Sequence, residues 1–460
     1  MNLNNYKVIR KTKSVCPDCL KPLDAVVKQI DDKIILSKTC LEHGDFEILL
    51  SSTADWYKKL EKFYFAVMQN DYKINEYEIW ITMRCNTHCT ICHLGDANSI
   101  NIPDPTCQQI DDFLRQSKHR YYILSGGEPT CREDLFDVIK IFKKHNKIIT
   151  IHANGIKITD KKYLQKLKTS GLDRINLQFD GFNRQPYLKF RGKDMLDIKL
   201  RALHNLKELD MPTDLNVTVA KKVNEKELKK IIDFAAQNHF INAVSFFTIS
   251  YLGDVRHWPI DYNIMPDEVG DVLEKTTGGK IKKNDIYLFQ KIHLGLKSLL
   301  KQRFCFYTQI FLLLRCRGTY EPITNFINAK RAQWVLDEYA SLFKKNKLIA
   351  RIFLTCFLPF SLLKFSSFLI IKEIILTWIS FLFKKDYHIK SRKFLYLNFN
   401  TSCDPHKMDY DIAYNCHDEI IYPDIKTGKL RNPELDGFRA IRFEKEDIRR
   451  QVVNTAGDRV

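Results

Sequence analysis

The stretch Ile81-Thr-Met-Arg-Cys85-Asn-Thr-His-Cys89-Thr-Ile-Cys92 decides the fold of this chain. Its three cysteines, spaced C-x3-C-x2-C, follow Tyr77-Glu-Ile-Trp-Ile-Thr82, an apolar run that reads as a buried strand. The trio therefore sits on a loop leaving the C-terminal end of a strand, where α/β barrels carry their chemistry. A four-iron cluster takes four thiolates, so three leave one iron open to a small-molecule ligand. Zinc is the competing reading, but it wants four ligands, and His93 is poorly placed beside Cys92 to be the fourth.

The next motif, Leu124-Ser-Gly-Gly-Glu-Pro-Thr130, again ends a strand-like run, Arg120–Leu124. Two adjacent glycines allow close backbone approach to a ligand and positive φ. Glu128 offers an acceptor to a ligand amine, and Pro129 fixes the exit of the turn.

Together these motifs resemble those of the radical S-adenosylmethionine (SAM) superfamily. The resemblance implies that Cys85, Cys89 and Cys92 hold a [4Fe-4S] cluster and that SAM chelates the open iron through its amino and carboxylate groups. The Gly-Gly-Glu-Pro turn then contacts the methionyl amine. One-electron reduction cleaves SAM to methionine and a 5′-deoxyadenosyl radical, which takes a hydrogen atom from an unreactive C–H bond. An electron donor such as a ferredoxin or flavodoxin is implied as well. Many members carry an aromatic residue before the third cysteine; here it is Ile91.

Outward from the two motifs, residues 71–260 alternate strand-like and helix-like stretches, the pattern of a parallel α/β architecture. Further strands read as Lys147–Ala153, Arg174–Phe179, Thr213–Val219 and Ala243–Ile249, with amphipathic runs such as Asp134–Lys144 and Glu225–Gln237 between them. Six strand–helix units predict a partial (βα)6 barrel of the TIM type. The expected SAM contacts are Ser125, Gly126, Gly127, Glu128, Asn154, Gln178, Asp180 and Asn216, because strand-end amides and carboxylates can hold ribose hydroxyls or an amino-acid head. Helix caps and barrel layers are the alternative use of Gln178, Asp180 and Asn216. His152 reads as a core histidine, and Arg191-Gly192 as a solvated turn rather than a carboxylate clamp.

Residues 1–70 carry Cys16-Pro-Asp-Cys19 and Cys40-Leu-Glu-His43-Gly44, separated by a strand-like Asp32–Ser37. The pattern C-x2-C…C-x2-H is that of a metal knuckle. Three thiolates and an imidazole favour zinc, with mononuclear iron as the alternative. A closed four-ligand site has no open position, so its expected role is a structural clip.

The chain has 460 residues, 13 cysteines and a net charge of +18. Cysteines used mainly as metal ligands fit a reducing cytoplasm and exclude a disulfide scaffold. The N-terminal residues form no apolar signal segment. Residues 344–393 hold eleven Lys/Arg against Glu373 and Asp386, a net of +9, interleaved with the apolar runs Ile352–Ile371 and Ile374–Phe383. Lys364, Pro359 and Lys372-Glu373 interrupt what a spanning helix would need, about 20 uncharged apolar residues. The expectation is a helical extension, residues 261–460, whose apolar and basic hairpin lies on membrane-surface lipids at the inner face of the cell membrane. Nucleic acid is not an expected partner, because no recognition module accompanies the charge.

Four late cysteines, Cys305, Cys316, Cys403 and Cys416, match no compact ligand pattern. They leave an auxiliary iron–sulfur cluster open beside ordinary thiols. The order of knuckle, barrel, Pro-Ile-Thr-Asn-Phe segment (322–326) and late Asn-Phe segment resembles the branch of tetraether lipid synthases and radical pterin methylases. The resemblance implies C–H functionalisation, with a membrane lipid chain as the first expectation. A soluble small molecule such as a pterin, or a peptide, is the second; an inactive metal-binding scaffold is the third.

Overall fold

The computed structural model describes residues 6–69, 71–73, 76–92, 94, 103–251, 255, 258–362, 364, 392–401, 404–413, 418–423 and 430–431. The second apolar run, His93, Cys403 and Cys416 lie outside the described residues.

The N-terminal ribbon is an antiparallel meander of β1 (Lys7–Val15), β2 (Pro22–Ile30), β3 (Lys33–Cys40) and β4 (Gly44–Ser51). Six strands then run parallel and in sequence order: β5 (Glu76–Thr82), β6 (Tyr121–Gly126), β7 (Ile148–Ala153), β8 (Arg174–Gln178), β9 (Thr213–Val219) and β10 (Ile241–Thr248). Helices cross between them, among them Leu135–Lys144, Lys161–Thr169, Leu196–Glu208 and Leu228–Gln237. The expected partial (βα)6 barrel is present.

The residues alternate as a parallel strand covered by helices on one side requires. Ile79, Ile81, Tyr122, Leu124, Ile149, Ile151, Ile175, Leu177, Leu215 and Val217 form one core with Val138, Leu164, Leu203 and Ile231 of the helices. The intervening residues of each strand, Glu78, Ser125, His152, Asn176, Asp214 and Asn216 among them, face the barrel lumen. His152, read as a core histidine, is half-buried on this lumen face, in a barrel layer and outside the helix-side cluster.

The extension beyond residue 260 is not purely helical. Strand β11 (Gln309–Cys316) pairs antiparallel with β12 (Thr319–Pro322) and with β13 (Phe394–Asn400). In turn β13 lies parallel beside β10. At the far edge β14 (Asp418–Pro423) pairs parallel with β5 and antiparallel with β15 (Leu430–Arg431). The sheet therefore continues past the barrel on both sides, with eleven strands among the described residues. The reason lies in Phe394-Leu-Tyr-Leu-Asn-Phe-Asn400: its alternation gives Leu395, Leu397 and Phe399 to the barrel core.

A second core unites the ribbon with the extension. Val27, Leu36 and Ile48 belong to the same buried cluster as Leu60 and Tyr64 of the helix Ala54–Val67, Leu294 of Lys283–Leu299, and Tyr339 of Ala329–Lys345. The helix Lys347–Leu362 buries Ala350, Leu354 and Leu358 there, and leaves Leu348, Ile349, Ile352, Phe357 and Phe360 exposed. No helix of the described residues is long and apolar enough to cross a membrane.

Candidate functional site

The cysteine loop and the glycine turn are built as one piece. Gly127 N–H donates to Thr82 O and Glu128 N–H to Arg84 O, both at 2.8 Å. A Cβ on Gly126 would lie 2.2 Å from Thr82 O, and one on Gly127 2.4 Å from Arg84 O. The absence of a side chain at these glycines is thus required by the backbone entering Cys85. Arg132, 3% exposed, ties the base of the loop by donating to Ile81 O and Pro105 O, each at 2.7 Å, and pairing with Asp134.

Cys85, Cys89 and Cys92 are all partly exposed. The Thr87 hydroxyl lies 3.2 Å from Cys85 Sγ and 3.7 Å from Cys89 Sγ. Burial pushes the Cys85 thiol up, and the charges of Glu128 and Cys89 add to this, against hydrogen bonding from Thr87. A thiol raised in this way stays protonated until a coordinating metal ion displaces its proton to solvent. Cys131, at the end of the glycine turn, is near enough for the Cys85 charge to act on it.

Behind the trio the expected strand-end residues interlock. Glu128, buried, accepts at Oε2 from Asn154 N at 2.7 Å and at Oε1 from both Thr130 N and Thr130 Oγ1. Asn154 Nδ2 reaches Asn86 Oδ1 of the cysteine loop at 2.6 Å. Asp180, fully buried, is held by Arg191 through Nε and Nη2, both at 2.8 Å, and accepts from Gln178 Nε2. Arg191 continues to Thr218 Oγ1 at 3.0 Å. Burial pulls the Arg191 guanidinium down, but Asp180 and Cys89 together hold it above its ordinary value. The expectation of a solvated turn at Arg191 is thus corrected: the helix Arg184–Arg191 ends at Gly192 in the left-handed conformation, φ 70°, which turns the arginine inward.

Lys199 was not among the expected residues. It is fully buried, and its Nζ donates to Asn154 O at 2.5 Å and to Gln178 Oε1. Burial and the neighbouring Arg191 lower it to about 7. The signal was available: Lys199 shares a helical stripe with Ala202, Leu203 and Leu206, a place where an ammonium must have partners.

Ser125 and Asn216 lie apart from this network. Ser125 Oγ donates to Glu78 Oε1 at 2.7 Å, beside Trp80 Nε1 at 2.9 Å. Asn216, half-buried, is the register partner of Gln178 on the lumen face.

In the ribbon, Cys16, Cys19, Cys40 and His43 bring one ligand atom each within 4.8 Å of the others. Cys19 Sγ and Cys40 Sγ are 3.9 Å apart, and His43 Nδ1 lies 3.6 Å from Cys16 Sγ and 3.5 Å from Cys40 Sγ. Zinc bonds of about 2.3 Å to sulfur and about 2.0 Å to nitrogen set tetrahedral edges of about 3.8 and about 3.5 Å. The quartet fits that ion. Hydrogen bonding to His43 brings the Cys40 thiol down to about 6, and burial pushes Cys16 up to about 11.

A parallel α/β barrel with a three-cysteine loop at its C-terminal mouth and a four-ligand ribbon defines an iron–sulfur, SAM-dependent class of enzyme. Comparison with known proteins agrees. The radical SAM superfamily profile matches residues 79–235, and that of the HMPTM N-terminal zinc ribbon domain matches residues 8–52. A 7,8-dihydro-6-hydroxymethylpterin dimethyltransferase of Methanocaldococcus jannaschii is 30% identical over 378 residues, 74% of this chain and 75% of its own. This chain belongs to the radical SAM superfamily. A probable GTP 3′,8-cyclase of Thermococcus kodakarensis is 28% identical over 167 residues, 36% of this chain and 54% of its own. Among solved structures, that of Streptococcus suis SuiB bound to precursor peptide SuiA overlaps 49% of each chain at 18% identity and a TM-score of 0.38, too slight a likeness to carry an argument.

Proposed function

We propose that this enzyme modifies a soluble pterin-type heterocycle, adding methyl groups by radical SAM chemistry. The observation that carries the reading is the 30% identity to a pterin dimethyltransferase along three quarters of both chains, a span longer than the barrel alone. It favours a pterin over the lipid chain of the first expectation. In this reading Cys85, Cys89 and Cys92 hold the [4Fe-4S] cluster, which supplies the one-electron reduction of SAM when bound, with a ferredoxin or flavodoxin as donor. The thiols fit the group: they are partly exposed at a strand end, and Arg191 reaches Cys89 from behind. Arg191 sets a cation beneath the mouth beside the Lys199 amine, which burial lowers to about 7. An arriving carboxylate would draw that amine into its charged form, giving a pair suited to the carboxylate of SAM. Gly126 and Gly127 seat the turn, and Asn154, Gln178 and Asp180 orient that pair. Cys16, Cys19, Cys40 and His43 hold zinc as a clip.

The test is anaerobic. The reconstituted holoenzyme is given SAM, a strong reductant and either 7,8-dihydro-6-hydroxymethylpterin or a lipid extract. The expected result is pterin-stimulated SAM cleavage and a pterin product heavier by one or two methyl groups. Stimulation by lipid alone would overturn it.

A separate observation favours attachment to a membrane surface. Trp334, Leu348, Ile349, Ile352, Phe357 and Phe360 are all more than half exposed or at half exposure, in the flank of the most basic stretch of the chain. An apolar ridge edged with lysines suits an anionic lipid interface. Co-sedimentation with anionic vesicles that F357E/F360E abolishes is the expected result; equal recovery of both proteins in the supernatant at low salt would sink the idea.

A further inference from the structure

Below the mouth of the barrel, one row of the lumen is left incomplete. The strands place His152 of β7 beside Asn176 of β8, and Asn176 beside Asp214 of β9, in register and all on the lumen face. Neighbouring strands lie about 4.8 Å apart, so these side chains stand shoulder to shoulder. Asp214 is 8% exposed. One of its oxygens, Oδ2, accepts from Arg174 Nη1 at 3.0 Å. Its other oxygen, Oδ1, is buried with no hydrogen-bond partner, and so is Asn176 Oδ1 on the adjacent strand. The Ala243 amide acts on the carboxyl from β10 without completing a hydrogen bond to Oδ1.

Two buried acceptors on register-paired residues of adjacent strands are costly unless something donates to them. Water could supply the protons, but the placement of this pair is informative. Rows two residues further up each strand are about 6.6 Å away, and the next row is Gln178 and Asn216, level with the network behind the cysteines. A flat molecule resting on Asn176 and Asp214 would stand upright in the lumen with its far end at the mouth. Burial pushes the Asp214 carboxyl up, and Arg174, paired to Oδ2 from the bottom of the barrel, works against this in favour of the ionised, accepting form.

We propose that Asn176 Oδ1 and Asp214 Oδ1 form the specificity floor of the substrate site, reading an N–H/NH2 donor edge of a flat heterocycle. A 2-amino-4-oxopyrimidine ring, the common part of a pterin and a guanine, presents two such donors on adjacent atoms. A ring with oxygen in place of the 2-amino group presents one. The inference rests on the pterin reading above and deepens it, since it states how the ring would be recognised and which way it would face. The donor edge goes down and the opposite end points to the cysteine loop.

The test measures binding and so separates the two readings. Fluorescence titrations of the reconstituted holoenzyme would use 6-hydroxymethylpterin and its 2-oxo counterpart, 6-hydroxymethyllumazine. Wild type should prefer the pterin by about 10- to 100-fold, the range for a buried hydrogen bond to a charged group. D214N and N176A should each lose most of that preference. Visible cluster absorbance and the thermal midpoint check that each variant is loaded and folded. N176A serves where D214N destabilises the fold by stranding Arg174, because Asn176 Oδ1 has no protein partner to lose. A pterin preference that survives in both variants overturns the proposal and leaves the pterin function standing. If wild type binds neither pteridine, guanosine and inosine, which differ by the same 2-amino group, replace them. A guanosine preference dependent on Asp214 would uphold the floor and refute the pterin; no preference would overturn both.

Discussion

The molecule carries two cysteine sites, and they are built on opposite plans. In the ribbon four ligand atoms converge from two turns within 4.8 Å, and among the described residues no other set of Cys, His, Asp or Glu does so. The barrel trio, also described, does not gather in this way; its thiols are spread along one loop and are backed by Thr87, Arg191 and the glycine turn. Convergent ligands suit one ion that closes its own shell. Spread ligands suit a cluster in which each thiolate meets a different iron and one iron is left free. Both sites are rich in cysteine, yet the ribbon is finished by its own residues, whereas the loop is completed only by what binds to it.

Several substitutions would break or sharpen that contrast. Cys89→Ala should have the largest effect, a loss of 5′-deoxyadenosine formation of about a thousandfold or more, by analogy with losing a group made only for the transition state. Metal analysis of the same variant should show ribbon zinc unchanged; loss of both metals would mean the two sites are not independent. Cys40→Ser should do the reverse. It removes the zinc and destabilises the fold by an amount on the order of 5 kcal/mol, a part of the binding energy of a structural zinc, while the folded fraction still cleaves SAM. Calorimetry alongside single-turnover assays checks this, and a fully folded but inactive variant would make the ribbon more than a clip.

Arg191→Met is next. It strands the fully buried Asp180 and should cost about 3–5 kcal/mol, with D180N restoring a good part of the loss in the double variant. Additive losses in that cycle would show the pair to be uncoupled. The smallest effect concerns pH. Lys199 is held at about 7 in the folded chain and titrates near 10.4 when unfolded. Between those values the unfolded state binds more protons, so stability rises with pH, by at most about 1.4 kcal/mol per unit from this group. Urea midpoints from pH 7 to 9 should rise more steeply for wild type than for Lys199→Met; identical slopes would mean Lys199 keeps its charge.

What was legible in the sequence followed from local pattern. The three cysteines, the glycine turn, the six parallel strands and the metal knuckle each depend on spacing within a few residues, and each is found where it was read. Arg191 and Lys199 escaped because their roles depend on distant chain: a left-handed Gly192 turns one inward, and the other crosses from a helix to Gln178 of β8. The late strands were missed for a related reason. The alternation in Phe394–Asn400 is plain, but nothing local says that this strand lies between β10 and β11. The glycines were legible as a tight turn, but not the packing against Thr82 and Arg84 that requires them.

The position of those late strands bears on how the protein is made. As the chain leaves the ribosome, the barrel strands emerge in order, but β5 has no neighbour on its outer side until residues 418–421 arrive, and β10 none until residues 396–400. Uncovered strand edges invite pairing with other chains, and contacts between remote segments form slowly. The ribbon waits as well, for Arg10 and Thr12 bond to Asp409, and Ser14 to Met408 O. Synthesis interrupted anywhere before residue 394 would therefore leave a nascent chain with two open sheet edges and a ribbon lacking its bonds to residues 408 and 409, a species prone to aggregation and proteolysis rather than a smaller working enzyme.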